Sequence, residues 1–203
     1  MSALFPTAYF GSIAYFQQLL QFDVVQLEVC DTFPKQTFRN RCVILGQQGE
    51  QRLTLPVDRI HGSKTSTLEM CISDHQDWRN NHWRSIQSAY ASSPYFEHYA
   101  SDIHALVFWK ESNLVAYNTL ITQKIAALFD CRIEFTHTSD YKQIVEDVLD
   151  LRNLSFESEK PVNFISLPYT QVLFEHVGFR ANPCILDLLF CEGPMGRKKL
   201  FIK

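Results

Sequence analysis

The chain has 203 residues, 46% hydrophobic and 20% charged, with 16 Phe and 8 Tyr, the balance of an ordinary folded globule with material for a sizeable core. Its net charge of -3 excludes the broadly basic surface that general nucleic-acid binding needs, so any cationic site has to be local. The opening "MSALFPTAYFGS" has no basic n-region and no long apolar run, and no segment approaches the roughly 18 apolar residues of a membrane span, so a cytoplasmic protein without a signal peptide or membrane span is expected.

The first segment, "ALFP", is a short apolar run stopped by Pro6. "FGSIAYFQQLLQF" then places Ile13, Phe16, Leu19 and Leu20 at helical spacing, with Ser12 positioned to cap. "DVVQLEVC" is β-branched and strand-like. Strand, helix and strand within about 30 residues make a βαβ unit and hence a parallel sheet. "TFRNRCVIL" and "QRLTLPV", joined across Gly46 and Gly49, predict a hairpin inserted near residues 37–57, and "STLEMCI" is a further candidate strand.

From residue 74 to 130 the pattern is mainly helical. "DWRNNHWRSIQSAYA" starts at a capping Asp and stops before Pro94, Tyr95 and Phe96 open a second helix or turn, and "NLVAYNTLITQKIAALF" is amphipathic. "CRIEFTHT" returns to strand. Residues 155–167 are polar and expected to be mobile, "CILDLLFCEGP" predicts a short buried helix ended by Gly193-Pro194, and "GRKKLFIK" is a tail or an edge strand. The six cysteines, at 30, 42, 71, 131, 184 and 191, form no CxxC, and five of them lie in apolar or strand-like segments; buried free thiols are expected.

Charge concentrates in "FPKQTFRNRCVILG". Read as extended backbone over residues 35–45, it puts Lys35, Arg39 and Arg41 on one face, a spacing that suits bidentate contact with phosphate or carboxylate. The competing reading is a solvated strand end paired with Asp31 or Glu28. The loop "FPTAYFGS" sits where parallel α/β folds bind ligands, between a strand's carboxyl end and a helix N-terminus, although it matches no phosphate-loop motif and is equally a loop packed by its own aromatics.

For proton transfer the best-placed group is His82, sharing a helix face with Trp78 and Ile86; the alternative is a hydrogen-bonded core histidine. Asp187 lies inside "ILDLLF" and, buried, needs a partner: a stripe arginine or His82. Cys184 at a helix start is a possible thiol nucleophile. No HxxxH, HExxH or CxxC spacing appears, so no metal is assigned.

"LFPTAYFGSIAYFQQLL", "FPKQTFRNRCVI", "LTLPV", "HWRSIQSAYASSPYFEHY" and "YTQVLFEHVGFRANPCILDLLFCEGP" together resemble the WbqC-like protein family over nearly the whole chain. The motif positions that match are Pro6, Tyr9, Phe10 and Tyr15, then Lys35, Asn40 and Arg41, then His82, Tyr90, Pro94 and Tyr95, and near the end Gln171, Asp187 and Gly193. Phe5 stands where the family more widely has Gln, and Cys184 where it often has Ser. The resemblance implies a bacterial protein of O-antigen or other surface-polysaccharide biosynthesis, or of amino-sugar biosynthesis, a transferase acting on a nucleotide or nucleotide-sugar such as an amino-sugar nucleotide.

The expectation is therefore one α/β domain over residues 1–203, a mainly parallel Rossmann-like sheet flanked by helices, with the hairpin inserted. Lys35, Arg39, Asn40 and Arg41 are expected to hold the anionic substrate beside the first loop, a nucleotide being the possible bound cofactor or substrate. Tyr9, Tyr15 and Tyr90 are expected to line the pocket, with His82 and Asp187 as the catalytic pair. Two alternatives stand beside this: a non-catalytic scaffold of a polysaccharide system, and a Cys-dependent acyltransferase or hydrolase.

Overall fold

The structure, a computed structural model, describes residues 2–155 and 164–201. In chain order the elements are β1 (Ser2–Pro6), α1 (Ile13–Leu19), β2 (Val24–Glu28), β3 (Arg41–Gly46), β4 (Gly49–Thr54), β5 (Val57–Asp58), β6 (Cys71–Ile72), α2 (Trp78–Tyr90), α3 (Phe96–Val107), α4 (Leu114–Leu128), β7 (Glu134–His137), β8 (Val148–Asp150), α5 (Phe174–Val177), α6 (Ile185–Glu192) and α7 (Arg197–Leu200). The fold is α/β, as the sequence predicts. Its main sheet has the order β7-β2-β1-β8 with every neighbouring pair parallel.

The two faces of this sheet differ. Strand alternation sends Ala3, Phe5, Val25 and Leu27 into the hydrophobic core, where the Phe5 ring meets Tyr15 of α1 edge-on at 5.8 Å. Leu4, Gln26 and Glu28 take the other face and line a cavity beneath residues 138–148, the segment that carries the chain from β7 across to β8 without a helix. α1 forms where expected: the Ser12 hydroxyl accepts from the Tyr15 amide, and Ile13, Ala14, Phe16 and Leu19 are buried. Full burial of a side chain such as Phe16 stabilises by roughly 2–3 kcal/mol.

The hairpin is β3 and β4, antiparallel, with Gly46 opposite Gly49 and Gln47-Gln48 as the two-residue turn. Its first strand begins at Arg41, six residues later than the extended reading requires. Gln36 has φ 60, which breaks the alternation, and Thr37, Arg39 and Asn40 turn inward and are buried. β5 and β6 pair as a two-residue ribbon, so "STLEMCI" is mostly loop.

α4 is capped by Asn113, whose side chain accepts from the Ala116 amide. Asp77 precedes α2 without capping it; its carboxylate accepts from the Asn80 side chain instead. α6 ends at Gly193, φ 54, where an added Cβ would stand 2.5 Å from the Tyr95 ring. The C-terminal "RKKL" is a helical turn rather than a strand, pinned by buried Leu200 and by the Gln17 side chain, which donates to the Lys199 carbonyl. The expected mobile run at residues 155–167 lies largely outside the described residues.

Candidate functional site

The first loop and α2 meet at Tyr9 and His82. The Tyr9 hydroxyl lies 2.9 Å from His82 Nδ1, and their rings sit with Trp78 and Tyr117 in one cluster. Burial pulls the His82 pKa down to about 4, against an opposing backbone hydrogen bond with Thr54. The ring is therefore neutral at physiological pH. Burial also raises the hydroxyl pKa values of Tyr9 and Tyr15, and Tyr15 donates to the Pro6 carbonyl at 3.0 Å. These hydroxyls tie β1, its loop and α2 together.

The amides at the start of α1 are already taken. Ile13 donates to the Pro183 carbonyl, Ala14 to the Asn182 side chain and Tyr15 to Ser12. A phosphate has no open helix-terminal N–H to meet there.

The basic run is dispersed by the turn at Gln36. Lys35 is exposed. Arg39 is 2% exposed; its Nη1 reaches Asp31 at 2.7 Å and the Thr67 hydroxyl at 2.9 Å. Thr67 in turn donates to the same carboxylate at 2.6 Å. Asn40 donates to the Leu55 carbonyl. Arg41 opens β3 opposite Thr54, and its Nε has no partner among the described residues. The structure thus places Arg39, Asn40 and Arg41 on a turn and a strand start, not in one stripe.

Asp187 forms a second buried node. Tyr169 donates to its Oδ1 at 2.5 Å and Gln171 at 3.0 Å, while Gln171 also brackets the Arg180 backbone. Burial raises the Asp187 pKa to about 6, and hydrogen bonds from Tyr169, Gln171 and Tyr90 limit the rise. The Tyr90 hydroxyl also accepts from the Leu45 amide. So Asp187 is joined to Tyr90, and among the described residues its hydrogen bonds run to Tyr169, Gln171 and Tyr90 rather than to His82 or an arginine side chain. Cys184 is buried beside Cys42, whose own thiol pKa is pushed up by burial and by the Cys184 contact.

An open cavity lies instead at the carboxyl edge of the parallel sheet. About 620 Å³ in volume, it is lined by Cys30, Asp31, Arg39, Tyr141, Asp150 and Arg152 among others. It spans the ends of β2 and β8, the two strands on either side of β1, and this is the edge at which open α/β sheets bind ligands. Arg152 forms its wall. Nε and Nη2 grip Asp150 at 2.9 and 2.6 Å, Nη1 reaches buried Glu28 at 3.3 Å, and the Lys142 and Gln143 carbonyls accept at 2.8 and 3.1 Å.

Of the residues expected at the site from sequence, Arg39 alone lines this cavity. Sequence reasoning misses Asp150, Arg152 and Tyr141. The available signal is acidic "LEVCD" at the end of a strand read as parallel, since parallel sheets bind at that end.

No curated protein and no solved structure matches the chain. The WbqC-like protein family model matches residues 7–155, a span that holds every cavity-lining residue, Tyr9 and His82, and stops before the Asp187 node. With well over half of its length inside that match, the chain belongs to the WbqC-like protein family.

Proposed function

We propose that the chain is a single-domain cytoplasmic transferase that binds a nucleotide or nucleotide-sugar at the carboxyl edge of its sheet, in the biosynthesis of bacterial O-antigen or a related surface polysaccharide. The pathway comes from the family resemblance. The observation that carries the site is the cavity: its 620 Å³ falls within the range of about 300–1,000 Å³ usual for small-molecule sites. It combines guanidinium, carboxylate and aromatic groups on the edge where such sheets bind ligands. The scaffold alternative calls for an exposed aromatic patch and no polar-lined pocket, and the polar cavity favours the enzyme.

In this reading Arg39 contacts the substrate and Tyr141, at the rim, covers a base or sugar ring. Tyr9, Tyr15, Asn40, His82, Tyr90 and Asp187 hold the fold around the cavity through the hydrogen bonds described above. Lys35 and Arg41 contribute long-range positive charge. The cavity supplies positioning and charge stabilisation, which account for much of the catalysis of phosphate-ester transfer.

A thermal-shift screen with nucleotides and nucleotide-sugars tests the reading. Ligand binding to the native state raises Tm by mass action. One ligand class is expected to raise Tm in the wild type and to lose that effect in Arg39→Lys and in Tyr141→Ala, the second variant altering a half-exposed side chain that leaves the core intact. No rise with any of these ligands in a cooperatively melting protein overturns it.

A further inference from the structure

The two arginines of the cavity are not equivalent. Arg152 has its five N–H donors engaged: Nε with Asp150, Nη1 with Glu28 and Lys142, Nη2 with Asp150 and Gln143. Among the described residues, Arg39 has hydrogen bonds through Nη1 alone, and its buried Nε has no partner. A buried guanidinium whose Nε lacks a partner is unusual, because desolvating a charged donor costs more than desolvating a neutral one; the same residue lines the cavity. Asp31 and Thr67 hold that guanidinium still: the hydroxyl accepts from Nη1 and donates to the carboxylate that Nη1 also contacts.

The charges lining the cavity also balance. Arg39 is paired with Asp31 and Arg152 with Asp150, two guanidiniums against two carboxylates; Glu28, which Arg152 also reaches, lies outside the lining. Such a lining gives no net positive field to attract a polyphosphate on its own. It offers one oxyanion contact at Arg39 and one cation contact at Asp150. The Asp150 side chain is 39% exposed, and its carboxylate has lone pairs beyond those Arg152 uses.

We propose that this cavity binds a zwitterion, with its carboxylate or phosphate on Arg39 and its ammonium group on Asp150. The chemistry fits an α-amino acid or an amino-sugar phosphate, the second being a fragment of an amino-sugar nucleotide. The inference rests on the same cavity as the functional reading above and narrows what enters it.

The test measures Tm and calorimetric affinity for two arms of probes: the standard α-amino acids, and glucosamine 1-phosphate. Each arm has partners lacking one charge, α-hydroxy acids and amino-acid amides for the first and glucose 1-phosphate for the second. One arm is expected to raise Tm, with its charge-deleted partners binding measurably more weakly and raising it less. Asp150→Asn is expected to weaken that binding about 10–100-fold, the worth of one hydrogen bond to a charged group, while leaving the affinity of the hydroxyl partner unchanged. Arg39→Lys keeps the charge and loses the fork, and is expected to weaken both zwitterion and hydroxyl partner. Equal binding of ammonium and hydroxyl partners, or no binding in either arm, overturns the zwitterion. If nucleotides still raise Tm in that case, the functional reading stands without it. Zwitterion binding with no nucleotide effect upholds the zwitterion site and removes the nucleotide.

Discussion

The Tyr9 hydroxyl sits 2.9 Å from Nδ1 of His82, and both side chains are buried. The ring is neutral, and its single N–H is engaged by the Thr54 backbone, which leaves Nδ1 to accept from the phenol. Tyr9→Phe removes the donor and leaves the acceptor stranded in the core. That variant is expected to lose about 1–3 kcal/mol in urea unfolding. Ligand affinity at the sheet edge should stay within twofold. A large affinity loss with unchanged stability would put Tyr9 in contact with ligand instead.

His82 and Asp187 carry opposite pH linkages. The His82 pKa is depressed from 6.5 to about 4 in the folded state, so its contribution to stability is full above 6.5 and is lost as pH falls toward 4. The Asp187 pKa is raised from 3.8 to about 6, so its contribution is full below about 4 and is lost as pH rises toward 6. In the wild type the two cancel over pH 4–6.5, since the proton gained by folded Asp187 matches the one gained by unfolded histidine. His82→Gln should therefore become more stable on acidification across this window, and Asp187→Asn less stable, each by up to about 3 kcal/mol. Chemical denaturation of both variants at pH 4 and 7 measures it. Slopes of the same sign in the two variants would refute the assignment.

Arg152 fastens the segment between β7 and β8 to the sheet, through the Lys142 and Gln143 carbonyls on one side and Glu28 and Asp150 on the other. A lysine keeps the charge but has no planar fork to span these acceptors. Arg152→Lys should cost about 2–4 kcal/mol and leave buried Glu28 poorly paired. Amide hydrogen exchange should quicken over residues 138–150 before it changes in α2 or α4. Uniform quickening, or none, would deny Arg152 this latching role.

Local order is legible in the sequence because local groups enforce it. Ser12 and Asn113 cap the helices they precede, and Gly193 stops α6 with a positive φ. The parallel sheet follows from one strand-helix-strand spacing. The site is less legible because its parts are distant in the chain. Asp31 and Arg39 share a cavity with Asp150 and Arg152 only after the chain has crossed from β7 to β8, and no periodicity announces a crossover that lacks a helix. The charge stripe fails on a single residue: Gln36 at φ 60 turns the chain, and Arg39 goes inside with Asp31, the partner that the competing reading names.

The start of α1 offers a last test of where anions bind. Phosphate affinity of a helix N-terminus depends on amide N–H groups left open, and here Asn182, Ser12 and the Pro183 carbonyl occupy those of Ala14, Tyr15 and Ile13. Asn182→Ala frees the Ala14 amide. It should cost about 1 kcal/mol, the usual worth of a lost cap. Inorganic phosphate should restore part of that loss in the variant, because an open amide then exists, and should add nothing at this helix in the wild type. Urea unfolding of both proteins, with and without phosphate at constant ionic strength, separates the cases. To keep phosphate bound at the sheet-edge cavity from masking the comparison, both are also measured in the Arg39→Lys background. Equal stabilisation of wild type and variant by phosphate in that background would mean that the α1 amides are accessible despite their partners, and the anion site would move back to the first loop.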